Sequence, residues 1–211
     1  MLRSPEAIEA ESFRIIEEEA GPNLFSPEEW AVVRRVIHAT ADFDFMENIR
    51  FSRGALEAGL GALRRGVPMI ADVKMLKAGL HEGRLRELGG RSLCFIGHKD
   101  VARRAEEEGI SRAAAGMRKG ARVAPQGVFL IGNAPTALHE ILELAEKGKA
   151  QPSLIVGMPV GFVEAAESKE RLARSPFSSI TALGRKGGSA AAAAVANALL
   201  ILALRGHHKA P

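Results

Sequence analysis

Tyrosine is absent from this chain of 211 residues, tryptophan and cysteine occur once each, and aromatic residues make up only 5%. So few rings, none interleaved with cations, exclude the stacking platforms on which single-stranded nucleic acids are held. The lone Cys94 excludes an internal disulfide and fits a reducing, cytoplasmic setting. It lies in the apolar run Leu93-Cys94-Phe95-Ile96, which reads as a buried structural thiol rather than a nucleophile. There is no CxxC and no HExxH, and His207-His208 falls in a stretch expected to fray, so no protein-bound metal is expected. The chain also lacks a GxSxG elbow, a Walker A loop and a GxGxxG fingerprint after a strand. Serine hydrolase, nucleotide and dinucleotide chemistry therefore have no motif, and no cofactor is expected. The longest apolar segment, Ala190 to Leu204, is broken only by Asn197. It falls short of the roughly 20 residues of a spanning helix, so it is expected to be a core or interface helix, with no membrane partner. Residues Met1 to Ala10 lack the apolar run of a secretory leader.

What is present is an ordinary soluble composition, 46% hydrophobic and 26% charged, at a length that suits one domain over residues 1–211. The formal charge is +4, and the lysines and arginines are scattered rather than blocked. A modest, dispersed basic excess favours a small polyanion over a nucleic acid or a membrane surface.

The first 50 residues read as helical. Ile8, Ile15 and Ile16 share a stripe with Ser12, and Ser26, Pro27 and Glu29 form a capping box with proline at N1. The helix that follows carries Trp30, Val33, Val36 and Ile37 at helical spacing. Beyond it, β-rich runs at 67–73, 92–96, 128–131, 153–156 and 179–183 alternate with helical stretches at 54–65, 100–108, 135–147, 162–173 and 189–204. Glycine-bounded apolar runs alternating with helices predict an α/β fold: one three-layer α/β/α domain with a mainly parallel sheet and a helical N-terminal segment.

In such sheets ligands bind beyond the carboxyl ends of the strands. Three of those ends are distinctive: Ile131 to Thr136, Gly157 to Phe162 and Gly184 to Ser189. Each leads towards a helix start, where unpaired N–H groups attract anions. The last combines Arg185 and Lys186 with a flexible backbone, and reads either as an anion cradle or as a plain turn capped by Ser189. Asn133 and Thr136 flank Pro135 and read either as ligands or as helix caps. Arg35 and His38, three apart, project together from the side of their helix opposite the apolar stripe. A guanidinium can hold a carboxylate while the imidazole gives and takes a proton; a solvated helix end fits the same pattern. Ser12 also fits a bond to the carbonyl four residues back, while Asp72 at a strand end and Arg112 are individually unremarkable.

Together the motifs say more. Ser12-Phe13, Arg35-Val-Ile-His38-Ala-Thr40-Ala-Asp42-Phe-Asp-Phe45, Ile70-Ala-Asp72, Gly132-Asn-Ala-Pro-Thr-Ala-Leu138, Gly157-Met-Pro-Val-Gly-Phe-Val163, Ala166-Glu-Ser-Lys169 and Gly184-Arg-Lys-Gly-Gly-Ser189 occur in order across nearly the whole chain. In this the sequence resembles the precorrin-8X methylmutase family, which includes the cobalt-precorrin-8 enzymes. The resemblance implies a homodimeric isomerase that carries a methyl group from C-11 to C-12 of the corrin precursor, giving hydrogenobyrinate or its cobalt counterpart. It implies His38 as proton donor and acceptor, with Ser12 and Arg35 contacting a polycarboxylate corrinoid. The remaining substrate-binding candidates taken from these motifs and their surroundings are Thr40, Asp72, Arg112, Asn133, Thr136, Arg185, Gly187, Gly188 and Ser189. Ser111-Arg112-Ala113 departs from the Thr-Arg-Ser usual in the family, which removes local hydroxyls but keeps the arginine. Two other classes remain compatible with the residues: a non-catalytic tetrapyrrole carrier, and an α/β enzyme whose Gly184–Ser189 loop holds a phosphorylated metabolite.

Overall fold

The computed structural model describes residues 4–207; His208 of the terminal histidine pair and Met1 to Arg3 of the N-terminal segment lie outside the described residues. Six strands make one sheet: β1 (Ile49–Phe51), β2 (Met69–Ala71), β3 (Ser92–Leu93), β4 (Val128–Ile131), β5 (Leu154–Gly157) and β6 (Ser179–Ala182), in the order β1-β6-β5-β4-β2-β3. Only β1 runs antiparallel to its neighbour, with Arg50 opposite Thr181; every other pairing is parallel.

Parallel strands buried on both faces are apolar throughout rather than alternating, and β4 and β5 are buried at every position. Alternate side chains enter different cores. Met69, Ala71, Val128, Leu130, Leu154 and Val156 face one cluster, while Ile70, Phe129, Ile131 and Ile155 face the other. Over the first face lie α2 (Pro27–Thr40), α4 (Ala55–Arg64), α5 (Lys74–Ala78), α6 (Glu82–Glu87) and α11 (Ser189–His207), with α1 (Pro5–Ala20) and α3 (Asp44–Asn48) beside them. The second is covered by α7 (Lys99–Glu107), α8 (Arg112–Val123), α9 (Pro135–Glu146) and α10 (Ala165–Arg174). The expected α/β class and mainly parallel sheet are what the structure has.

Helix α11 is the central strut, packing on α2, α4, α5 and α6 and on β4 and β5. Alanine favours helix intrinsically, and a helix that is apolar nearly all round must be buried. Its small side chains let neighbours approach: a Cβ on Gly79 would lie 3.0 Å from that of Ala193. The one polar break, Asn197, is satisfied twice, donating to the Gly79 carbonyl at 2.8 Å and accepting from the His81 N–H at 2.9 Å. Among the described residues no helix is long and apolar enough to cross a membrane.

Several boundaries differ from the sequence expectation. The runs at 67–73 and 92–96 contract to β2 and β3; the Asp72 N–H still donates to the Leu130 carbonyl at 3.0 Å, while its side chain turns to the loop before α9. The helix expected over 162–173 begins only at Ala165, since Glu164 takes a left-handed backbone at φ 58°. Helix α8 was not expected at all. Its Gly116 and Gly120 weaken the local signal, yet they allow close contact with the sheet side: a Cβ on Gly120 would lie 2.7 Å from the Ile70 Cγ2. Helix α3 falls within the first 50 residues that read as helical, while strand β1 and the short helices α5 and α6 go unforeseen, being too short to show a period.

Candidate active site at the strand ends

Helix α2 begins as its sequence requires: Ser26 Oγ accepts from the Glu29 N–H at 3.2 Å, and Glu29 Oε2 accepts from the Ser26 N–H at 2.9 Å. Its Val32, Val33, Val36 and Ile37 are buried, which turns His38 outward in the last turn. The imidazole lines a cavity of about 250 Å³ with Arg35, Ala39, Gly79, Asn197 and three alanines of α11. No hydrogen bond restrains it among the described residues; its contact is with the Phe13 ring, 5.1 Å between centroids. Arg35 Nη1 binds Glu9 Oε1 at 2.9 Å, and the guanidinium sits 5.2 Å from the centre of the Phe13 ring. Its remaining donors have no hydrogen-bond acceptor among the described residues. The structure thus brings His38 and Arg35 to one cavity, with Phe13 of α1 supporting both.

Ser12 and Thr40 follow the bland pattern: each hydroxyl donates to the carbonyl four residues earlier, Ile8 and Val36, at 2.8 Å in both cases. A hydroxyl so engaged still has a lone pair for a ligand.

Asp72 is buried, and its carboxylate is committed to the chain. It accepts the N–H groups of Gly132 at 3.2 Å and of Asn133 and Ala134 at 2.9 Å each. Burial pushes its carboxyl above the ordinary value, against the pull of these bonds. It therefore shapes the loop into α9, and the N–H groups expected there to attract an anion are already taken. Neither Asn133 nor Thr136 caps α9; the N-cap is Ala134, with no side-chain cap bond. That leaves the exposed Asn133 amide without a partner among the described residues, while Thr136 Oγ1 lies 2.6 Å from Ser111 Oγ at the start of α8. Beside Ser111, the Arg112 guanidinium is exposed and has no ion-pair partner among the described residues.

The Gly184–Ser189 loop differs, for its helix start stays open. Gly188 donates to the Met158 carbonyl at 2.8 Å and its own carbonyl accepts the Ala192 N–H at 3.0 Å, so Gly188 rather than Ser189 is the N-cap. The N–H groups of Gly187, Ser189 and Ala190 have no acceptor among the described residues. Only one of the loop's two cations is free: Lys186 Nζ binds Asp42 Oδ2 at 2.7 Å and Asp44 Oδ2 at 2.5 Å, which holds the Asp42 carboxyl below its usual value. Arg185 is exposed, its guanidinium 5.3 Å from the centre of the Phe162 ring. The loops interlock, since a Cβ on Gly187 would meet the Met158 carbonyl oxygen at 2.4 Å and one on Gly132 would meet the Ser189 Cα at 2.8 Å.

Sequence reasoning missed Phe162, and the alanines and Asn197 that wall the His38 cavity. It also missed the burial of Lys169, although Ala165, Ser168 and Leu172 put that position on the apolar stripe of α10. Among the described residues no cluster of histidine, cysteine and carboxylate side chains could hold a metal ion.

The precorrin-8X methylmutase family description matches residues 7–202. A cobalt-precorrin-8 methylmutase of Priestia megaterium is 45% identical over 199 residues, covering 94% of this chain and 88% of its own. A precorrin-8X methylmutase of Pseudomonas aeruginosa is 40% identical over 202 residues, covering 94% and 96%. The crystal structure of the Thermus thermophilus precorrin-8x methyl mutase superposes with a TM-score of 0.86 at 44% identity, covering 95% of this chain and 98% of that one. Coverage end to end, at these identities and with the same fold, settles membership: this chain belongs to the precorrin-8X methylmutase family.

Proposed function

We propose that this protein is an isomerase of corrin biosynthesis that moves a methyl group from C-11 to C-12 of precorrin-8X, or of cobalt-precorrin-8, giving hydrogenobyrinate or cobyrinate. The observation that carries this reading is the placement of His38: an exposed imidazole, free of hydrogen bonds, on a cavity it shares with Arg35. His38 donates a proton to a ring nitrogen, forming an N–H bond and drawing electrons from the neighbouring carbon. The methyl group then shifts between adjacent carbons within the same π system, and the imidazole takes the proton back as conjugation is restored. Atoms and electrons balance within one molecule, so the step calls for no carrier or redox cofactor.

The other residues hold the macrocycle. A polycarboxylate substrate needs several separated donors, and the free ones here are the spare Arg35 N–H groups, Arg112, Arg185, the Asn133 amide and the N–H groups at the start of α11. Ser12 and Thr40, on the helices that carry Phe13 and His38, and Thr136, in the first turn of α9, offer hydroxyls, Gly187 and Gly188 keep the backbone within reach, and Asp72 acts through the loop it holds. We take the active form to be a homodimer. The apolar stripe of α1 supports this, since Ile8 and Ile15 are 50% and 41% exposed in the single chain, and so do Phe162 and Val163 at 83% and 81%. A cytoplasmic setting agrees with the single, partly buried thiol of Cys94.

Conversion of precorrin-8X, followed by its visible spectrum, tests the reading, with the cobalt form run in parallel. Loss of a general acid–base group lowers rate by about 10²–10⁴-fold, so His38→Ala should fold, bind product and lose turnover to that extent. A folded His38→Ala with wild-type turnover would overturn the role of His38. A wild-type protein that binds the macrocycle without converting it would make this chain a carrier.

A further inference from the structure

Lys169 is the one buried cation among the described residues. It has no carboxylate partner. Burial alone lowers its pKa to about 8, so it remains an ammonium at neutral pH, and its hydrogen bond runs from Nζ to the Lys186 carbonyl at 2.6 Å. Burying an ammonium is costly unless it is hydrogen-bonded, and an apolar residue would fill the inner face of α10 more cheaply. What the charge accomplishes must lie at its partner, a backbone carbonyl in the middle of the Gly184–Ser189 loop.

That loop is anchored from two sides. Arg185 O accepts the Gly161 N–H at 3.2 Å, Gly188 N–H donates to Met158 at 2.8 Å, and the Lys186 side chain reaches Asp42 and Asp44. These contacts leave the peptide between Lys186 and Gly187 undetermined, and a peptide followed by two glycines flips easily. In a trans peptide the C=O and N–H point in opposite directions. Drawing the Lys186 carbonyl inward therefore aims the Gly187 N–H away from the buried ammonium, in a loop that also carries the exposed Arg185 and leads into the open start of α11. If the peptide were reversed, a carbonyl oxygen would face an arriving anion.

We propose that Lys169 is a positioning residue: by holding the Lys186 carbonyl inward it sets the Gly187 N–H as a donor to a carboxylate of the macrocycle. This rests on the function proposed above and assigns one carboxylate subsite to Gly187, Ser189 and Arg185. Lys169 itself touches no substrate. Its ammonium, unlike a neutral amide, gives a charge-assisted bond to the carbonyl, which is the stronger kind.

The test is Lys169→Met, which keeps the length and apolar volume of the side chain and removes the donor. KM for precorrin-8X and the Kd of the product should rise by about ten-fold or more, while kcat stays within about three-fold. His38→Ala should show the opposite split. Lys169→Arg, which restores a cationic donor, should bring KM back towards wild type. Hydrogen exchange reads the subsite without any substitution: product binding to the wild-type protein should slow exchange across residues 184–190. Unchanged KM in a folded Lys169→Met overturns the proposal, as does exchange in that segment that product does not slow. A wild-type protein that neither binds nor converts the macrocycle overturns the proposed function instead.

Discussion

Asp72→Asn separates what this residue does from a direct role in binding substrate. The carboxylate is buried and its two oxygens receive three N–H groups, one on Oδ1 and two on Oδ2. Asparagine has nearly the same shape but a single acceptor oxygen. With that oxygen in place of Oδ2, the bonds from Asn133 and Ala134 survive without charge assistance, and the amide NH2 faces the Gly132 N–H. Losing the charge weakens the surviving bonds but also relieves the burial that raises the Asp72 carboxyl, so the net cost is that of the buried N–H left without an acceptor, about 1–3 kcal/mol. In a chain of 211 residues that corresponds to a fall in Tm of roughly 2–12 °C.

Calorimetry measures this directly, and limited proteolysis should place the new weakness at residues 132–136. Activity should fall too, since Gly132 lies against Ser189 and displacement of one loop disturbs the other. Asp72→Ala should be worse, because it orphans all three donors and leaves a void. A Tm no lower than wild type for the asparagine variant would refute the reasoning, since it would mean that water or a local shift satisfies the loop without the carboxylate.

The depressed pKa of Lys169 gives stability a signature at high pH. Between the folded value of about 8 and the ordinary 10.5, the unfolded chain binds the extra proton, so stability should rise with pH there, by an amount on the order of 3 kcal/mol if nothing else titrates. Denaturation curves for wild type and Lys169→Met should therefore diverge in slope across that window; parallel curves would contradict the burial of a charged lysine. For the homodimer, sedimentation at tens of micromolar protein should give twice the 22.5 kDa of one chain, and a mass of one chain under those conditions would overturn it.

How much of this was legible depends on the range of the interaction that decides each feature. The start of α2 is local, and the sequence motif names both bonds of its capping box. The start of α9 looks equally local, with Pro135 at N1 between two polar residues. Yet its orphan N–H groups are satisfied by Asp72, 62 positions upstream, and no window around Pro135 contains that information. Helix α8 shows the reverse problem, because its glycines lower the local helix signal, and Gly120 does so where it meets Ile70 across the layer. Lys169 was readable in principle: a lysine at i+4 from Ala165 and i−3 from Leu172 lies on the apolar stripe of its helix. Spacing would have predicted its burial but not its partner, a loop carbonyl 17 residues on.

Charge sets the same limit more sharply. The sequence places Arg185 and Lys186 side by side as equal candidates for an anion, and only the fold distinguishes them. Lys186 is bound to Asp42 and Asp44, the latter 142 residues earlier, so a substrate carboxylate would have to displace a carboxylate already there. Such an exchange gains little. Arg34, bound to Glu17 and lying over Phe13, is committed in the same way. Arg112 and Arg185 have no ion-pair partner to lose, and Arg35 keeps donors beyond the one that Glu9 occupies. A net charge of +4 is compatible with an anionic ligand, whereas the pattern of committed and free cations supports the carboxylate sites proposed above. Those free groups lie on α2, at the head of α8 and in the loop before α11. Lys186 joins that loop to the end of the helix that carries His38. On the proposed function, carboxylate recognition and proton transfer are linked through this contact, and a loop out of place should cost binding first and turnover only secondarily.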